Sequence, residues 1–390
     1  MAHDPPRTQA PVTKQVAVLA SQANQHSEET RIWGISVRDR LVRSLDIVGA
    51  RVADPGEPIS QRALYLRTDH VFDERVLEGL LHVGRDIVLE GDRGPAAVCA
   101  GPDQADRALE VLRGAPADGF APSSPNQLAS DFDPVLRRRS PPYALAVEAG
   151  RTREVEDHLF RAAYKTVTDA VTKWVWPRPA RQVTRWCVRF GVTPNTVTAV
   201  SYVLALAVTV LWAQGAFAGG LLLAWCMTFL DTVDGKLARV TLRSSPFGQV
   251  FDHGLDLVHP PIWWAAWAWG LTAGEPGFGA HTMAMAVVVG GYVIGRLLEG
   301  VFLLAFRMEM FIWRPFDGQF RLVIARRNPN LVLLSLSALL GQPAWGLAAV
   351  ASWTAASIAI QLVRIEQAFR TRRAGDSIET WFARDSETQQ

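Results

Sequence analysis

Hydrophobic and polar positions change their rhythm near residue 190. Before it, apolar residues come in short runs set between charged turns. QVAVLA at 15–20 reads as a buried strand, and residues 63–66, 87–89 and 96–99 are further strand candidates. Residues 36–48, with Gly49 just beyond as a stop, read as a helix, as do 76–81 and 103–112. Strands alternating with helices predict a soluble α/β layer domain over 1–150. The Pro-, Ser-, Asp- and Gly-rich stretch 115–142 reads as loop.

After Pro194 the apolar runs lengthen. They predict spans near 196–212, 219–230, 250–271, 283–306, 331–340 and 345–362, about six transmembrane helices in all. The second and fifth fall short of the ~20 apolar residues a span needs, and so extend through polar residues that face protein. The connections at 213–218, 272–282 and 341–344 carry no lysine or arginine. The opposite side carries Lys236, Arg239 and Arg243, then Arg307, Arg314, Arg321, Arg326 and Arg327, then Arg364, Arg370, Arg372 and Arg373. The excess of positive charge inside predicts an integral inner-membrane protein with both termini cytoplasmic. The spans define a membrane domain over 191–366 and a cytoplasmic tail over 367–390. Between 151 and 190, basic residues such as Arg161, Lys173, Arg181 and Arg185 interleave with Phe160, Trp174, Trp176 and Trp186. That mixture predicts linker helices lying in the membrane interface.

Composition agrees with a divided chain. Mean hydropathy is just above zero, high for a soluble protein and low for one that is membrane throughout. A net charge of +2 gives no pull toward nucleic acid, which is excluded as a partner. The three cysteines form neither a disulfide framework nor a zinc spacing. The first thirty residues lack the apolar stretch of a signal peptide. Of fourteen tryptophans, Trp212, Trp225, Trp263, Trp264, Trp267, Trp269, Trp345 and Trp353 sit in or beside the apolar runs, which predicts a belt at the bilayer interface.

The candidate chemistry lies at the end of the second run, DTVDGKLARVTLRSSPFGQVFDHGLD from 231. Asp231, Asp234, Gly235 and Ala238 fall on one helix face, and Gly248, Asp252 and Asp256 on another. Ser244, Ser245 and Pro246 turn the chain between them. Two adjacent helices therefore present two pairs of carboxylates to one volume. Four ionised carboxylates in a poorly solvated site need cations. Oxygen-only ligands suit Mg²⁺ or Mn²⁺, and a pair of such ions stabilises phosphoryl-type displacement. The small residues let a ligand approach the backbone, with Lys236 and Arg239 close to its phosphate charge. His253 follows Asp252 directly and so points about 100° away on the helix, outside the ligand set.

The pattern D-x2-D-G-x2-A-R-x8-G-x3-D-x3-D, from Asp231 to Asp256, resembles the signature of the CDP-alcohol phosphotransferase family, with every fixed position met. Thr193-Pro194-Asn195 is similar to that family's entry to its first span. The resemblance implies transfer of a substituted phosphate group from a CDP-linked donor, lipid or polyol, to an alcohol or alcohol phosphate, with release of CMP. It implies two Mg²⁺ or Mn²⁺ ions on Asp231, Asp234, Asp252 and Asp256, the last also the catalytic base. Asp231, Asp234, Gly235, Ala238, Arg239, Gly248, Asn195 and Thr198 would then hold the CDP group. An acceptor phosphate calls for arginines, and Arg296, Arg326 and Arg327 are the candidates. Membrane lipid is the surrounding partner, and a homodimer is left open.

The order of parts resembles the bifunctional inositol-phosphate cytidylyltransferase and di-inositol-phosphate-phosphate synthase proteins, which implies a nucleotidyltransferase-like fold for the soluble domain. LRTDHVFD at 66–73 would carry a metal-binding aspartate, Asp69. The loop after the first strand, Ser21 to His26, has no glycine to wrap a triphosphate, and Val147-Glu148-Ala149 stands where a second acidic position belongs. These departures predict a domain that keeps the fold and has lost cytidylyl transfer. The competing class is a catalytically silent membrane scaffold whose cytidylyltransferase-like domain recruits a partner.

Overall fold

The computed structural model describes residues 15–20, 30–148, 150–243, 246–272 and 279–382. Within 246–270, the side chains of Pro246, Phe247, Gln249, Asp252, His253 and Leu255 lie outside the described set, as do residues 21–26. The chain divides into two compact units, 1–131 with 140–162, and 132–139 with 163–390.

In the first unit, β1 (Val16–Ala20) is followed by a small hairpin of β2 (Arg31–Ile32) and β3 (Ile35–Ser36). Then come α1 (Val37–Ile47), β4 (Arg51–Val52), β5 (Ala63–Arg67), β6 (His70–Phe72), α2 (Glu74–Leu81), β7 (Ile87–Gly91) and β8 (Gly94–Ala100). After them follow α3 (Ala105–Leu112), β9 (Ala121–Ser123), the one-turn α4 (Pro125–Leu128) and, beyond residue 140, β12 (Ala144–Ala146) and α5 (Thr152–Ala162). Six strands form one sheet in the order β4–β1–β5–β8–β7–β9. β1 runs parallel to β4 and β5, and β8 runs antiparallel to both its neighbours. Alternation along β5 places Leu64 and Leu66 with Leu41, Leu45 and Leu77 of α1 and α2. Tyr65 faces the other way, toward Ala108 and Val111 of α3.

Local chemistry sets the helix starts. The Ser36 hydroxyl accepts from Asp39 N at 3.0 Å to cap α1, and the Asp73 carboxylate accepts from Arg75 N at 3.1 Å to cap α2. Gly49 takes φ +78 just past α1, a conformation that costs glycine nothing. The stretch expected as loop holds β9, which pairs parallel to β7 at the sheet edge. Ala-Pro-Ser has no periodicity to betray a strand, and proline is tolerated at an edge. α5 lies inside the segment expected as interfacial linker. It turns Val155, Leu159 and Phe160 inward, and Phe160 stacks on buried Trp33 at 5.6 Å.

The second unit begins with the hairpin β10 (Phe132–Asp133) and β11 (Arg138–Arg139). Phe132 stacks on Phe382 at 5.2 Å, Arg137 pairs with Glu309, and Arg139 donates to the Phe382 carbonyl. A π-helical turn (Val171–Val175) leads to α6 (Pro177–Arg189), α7 (Pro194–Ala213), α8 (Phe217–Val240), α9 (Pro246–Gly270) and α10 (Thr282–Phe306). The short α11 (Pro315–Phe320), α12 (Arg327–Leu339) and α13 (Pro343–Arg373) complete it. Each predicted span is a helix. Four helices among the described residues are long and apolar enough to cross a membrane: Pro194–Ala213, Phe217–Val240, Gly279–Phe306 and Pro343–Arg373. With 13 residues, α12 rises roughly 20 Å, short of the ~30 Å hydrocarbon thickness.

The expected tryptophan belt is only partly one. Trp212, Trp263, Trp264 and Trp267 are buried together, with Trp212 against Trp267 at 4.9 Å and against Trp263 at 5.3 Å. The N–H groups of Trp212, Trp263 and Trp267 find carbonyls inside, as Trp263 does on Ala205 at 3.0 Å, so these three need no water. Trp345 and Trp269 stay exposed. This core lets α7 and α9 close tightly: a Cβ on Gly270 would lie 1.9 Å from the Trp212 carbonyl oxygen. Gly270→Ala should therefore destabilise by about 1–3 kcal/mol. Gly290→Ala, where nothing lies within 4 Å, should be neutral. Melting temperatures of the two variants in detergent check the contrast.

Candidate active site

The aspartates occupy the last turns of α8 and the first half of α9. Asp234 is buried, and the Thr198 hydroxyl from the first turns of α7 reaches its Oδ2 at 2.7 Å. That hydroxyl also lies 3.2 Å from the Pro194 carbonyl. With one proton to give, it favours the shorter contact to the charged acceptor. Asp231 lies one turn before Asp234. Its Oδ2 accepts from Arg327 Nη2 at 2.5 Å, and Arg327 Nη1 donates to Asp256 Oδ1 at 2.7 Å. One guanidinium, at the first residue of α12, thus spans carboxylates from two helices. Asp231 and Arg327 are mostly buried, whereas the Asp256 side chain is half exposed.

Asp256 opens onto a cavity of about 120 Å³, lined also by Asp169, Tyr292, Asn328, Arg296, Arg321, Arg326 and Arg327. At ~30 Å³ per water, that is room for about four waters or one phosphate group. Arg326 pairs with Glu299, and Arg296 lies 3.4 Å from it. Arg321 Nη1, Arg326 Nε and Asn328 Oδ1 are buried and, among the described residues, make no hydrogen bond. Buried polar atoms without partners are costly, so this wall is incomplete without a ligand. Burial, helped by the nearby Arg326 guanidinium, pushes Arg321 down to about 9, a stress that an anion in the cavity relieves. Asp169 does not supply that anion freely, because it accepts from Thr172 Oγ1 at 2.8 Å and from Asn328 Nδ2 at 3.0 Å.

Residues 191–308 match the sequence model of the CDP-alcohol phosphatidyltransferase family. The match covers α7 to α10, among them the helices that carry the aspartates. Among curated relatives, "Cholinephosphotransferase 1" of Danio rerio is 30% identical over 126 residues, 29% of this chain and 31% of that protein. "Bifunctional IPC transferase and DIPP synthase" of Rubrobacter xylanophilus is 33% identical over 154 residues, 39% of this chain and 32% of that protein. The chain thus spans about a third of the length of these relatives, both transferases by name. A crystal structure of Mycobacterium tuberculosis phosphatidylinositol phosphate synthase with CDP-DAG bound aligns with 48% of this chain and 94% of its own, at 17% identity and a TM-score of 0.38.

The matched stretch ends at residue 308, so Arg321, Arg326 and Arg327 come to the aspartates from outside it. Of the expected residues, Asp256, Arg296, Arg326 and Arg327 line one cavity, Asp231 is joined to it through Arg327, and Asp234 is held by Thr198 one turn further along α8. Arg239 folds over Gly235, where a Cβ would stand 3.1 Å from its Nη2. Ala238 and Gly248 are partly buried, and Asn195 is exposed at the start of α7. The Asp252 and His253 side chains lie outside the described residues. His259 is buried against Trp263 at 4.6 Å. Among the described residues no three Asp, Glu, His or Cys side chains converge as a ready metal set. Sequence reasoning missed Arg321, Asp169, Asn328 and Tyr292, which reach the cavity from separate segments with no shared spacing. Thr198→Val deletes a donor to a buried carboxylate and should cost about 1–3 kcal/mol, while Thr198→Ser should recover most of it. Thermal unfolding of both variants tests this.

Proposed function

We propose that this chain transfers a substituted phosphate group from a CDP-linked donor to the hydroxyl of a phosphate-bearing alcohol, releasing CMP. The observation that carries it is the half-exposed Asp256 carboxylate at the mouth of an arginine-lined cavity large enough for one phosphate. The cavity's arginines hold the acceptor by its phosphate. Asp256 takes the proton of the acceptor hydroxyl as that oxygen attacks the donor's β-phosphorus and CMP departs. Gly235, Ala238, Gly248, Asn195, Thr198 and Arg239 border the CDP group. The donor set fits a hard divalent ion: Asp231 and Asp256 offer only oxygens, and stand close enough for one guanidinium to join them. Asp231, Asp234, Asp252 and Asp256 would hold Mg²⁺ or Mn²⁺, two ions in all. When bound, such ions neutralise the diphosphate and the leaving CMP. The same site admits CDP-diacylglycerol or a soluble CDP-polyol.

The surrounding architecture is part of this reading. Six segments, α7 to α10, α12 and α13, cross an inner membrane with both termini cytoplasmic and α6 in the interface, the short α12 completing its crossing through the polar residues that flank it, and two copies pair as a homodimer. The soluble unit is a nucleotidyltransferase-like domain without cytidylyl transfer. What supports that loss is Asp69. Burial works against its charge, yet His70 at 2.7 Å and Arg67 at 2.6 Å hold its carboxyl well below the usual carboxylate range. Those partners engage the oxygens a metal would use, and Glu148, two residues past β12, stays exposed.

Purified protein with Mg²⁺, a panel of CDP-linked donors and phosphorylated or unphosphorylated alcohols should release CMP only with a phosphorylated acceptor. Asp256→Asn should lower kcat at least a hundredfold, in line with loss of a general base. Turnover of Asp256→Asn at the wild-type rate removes the base assignment. Arg321→Met should raise KM for the acceptor about tenfold and leave KM for the donor unchanged. A rise in both would place Arg321 elsewhere in the chemistry.

A further inference from the structure

Arg327 belongs to the aspartates as much as to the cavity. Its Nη2 lies 2.5 Å from Asp231 Oδ2, and its Nη1 lies 2.7 Å from Asp256 Oδ1 and 3.5 Å from Asp231 Oδ1. The same side chain lines the cavity beside Arg326 and Asn328. A guanidinium keeps its charge and presents several donors in one plane, so it can clamp two carboxylates that approach from different helices. Without a cation between them, Asp231 and Asp256 would repel each other in a poorly solvated space. The chain supplies that cation from its own sequence.

A divalent ion on Asp231 and Asp256 needs the oxygens that Arg327 now engages. Metal–oxygen bonds of ~2.0–2.1 Å leave no space for a guanidinium between the same atoms. The two cations therefore compete. An arginine released from the aspartates stays at the head of α12, where the nearest place for its charge is the cavity it already lines.

We propose that Arg327 is an intrinsic counter-ion, clamping Asp231 to Asp256 before metal binds and displaced by the divalent ion into the cavity, where it joins Arg321 and Arg326 in meeting a phosphate. The proposal rests on the metal reading of the aspartates made above. It makes metal entry and phosphate affinity reciprocal, since each favours the displaced arginine.

The test uses full-length protein in detergent with Mn²⁺ alone, no donor or acceptor, and reads bound Mn²⁺ by the loss of the free-ion EPR signal. Arg327→Gln should tighten Mn²⁺ binding about tenfold. Arg327→Lys, with one ammonium that cannot span both carboxylates, should tighten it less. Without metal, Arg327→Gln should melt below wild type, and saturating Mn²⁺ should close that gap. Inorganic phosphate should tighten Mn²⁺ binding in wild type and not in Arg327→Gln. Binding that is unchanged or weaker in both variants overturns the proposal, as does a melting gap, or a failure to fold, that saturating Mn²⁺ leaves in place. Asp231→Asn separates the two levels of the argument. If it binds Mn²⁺ as wild type does, the metal reading of the aspartates itself fails.

Discussion

Charge placed inside a bundle of apolar helices has to be answered within reach, and the second unit is arranged around that requirement. Asp231 and Asp256 meet on Arg327. Glu299 is shared by Arg326, Arg296 and the Gln361 amide. Asp317, almost fully buried, is gripped by Arg364 through two contacts of 2.6 and 2.9 Å. Even Lys236 is buried, donating to the Ala163 carbonyl at 3.1 Å with its ammonium 3.7 Å from the Tyr164 ring centre. Apart from Arg296 with Glu299, which are neighbours on α10, each of these contacts ties together segments distant in sequence. Neutralising the charges therefore also fixes which helices are neighbours.

The same requirement separates structural ion pairs from chemistry. Arg364 and Asp317 satisfy one another in a closed, bidentate geometry and leave nothing for a ligand. The cavity beside Asp256 is different in kind. Its arginines outnumber the carboxylates facing them, and donors on Arg321 and Arg326 remain unmet. An excess of one sign in a small half-open cavity is what an anion site needs, and it stands against Asp256, which alone among the described aspartate side chains of the cluster keeps a half-exposed face.

Packing makes this placement precise enough to matter. Gly270 lets α9 close on the Trp212 carbonyl, and Gly220 lies flat against the Trp212 ring, where a Cβ would come within 2.3 Å. The tryptophans buried around Trp212 fill the space behind, with the N–H groups of Trp212, Trp263 and Trp267 bound to carbonyls. The aspartates, in the last turns of α8 and the first half of α9, are held by a core that contains none of the chemistry.

Much of the site could be read from the sequence, because its central part is local. Asp231, Asp234, Gly235 and Ala238 share a face through helical periodicity alone, and a run of apolar residues announces its helix wherever that helix packs. The longer strands of the first unit, β1, β5, β7 and β8, are legible for the same reason. What spacing could not carry was convergence. Arg321, Asn328, Asp169 and Tyr292 come from four segments, and only packing places them around one cavity. β9 and the hairpin at 132–139 show the same limit, since a two- or three-residue strand is defined by its partner and not by its own pattern. Arg327 marks the boundary most clearly: the sequence showed a positive charge at the start of a helix, whereas the tertiary structure decided that two carboxylates from other helices would close on it. Periodicity is a property of consecutive residues, but the neutralisation of a buried charge depends on which chain segments meet.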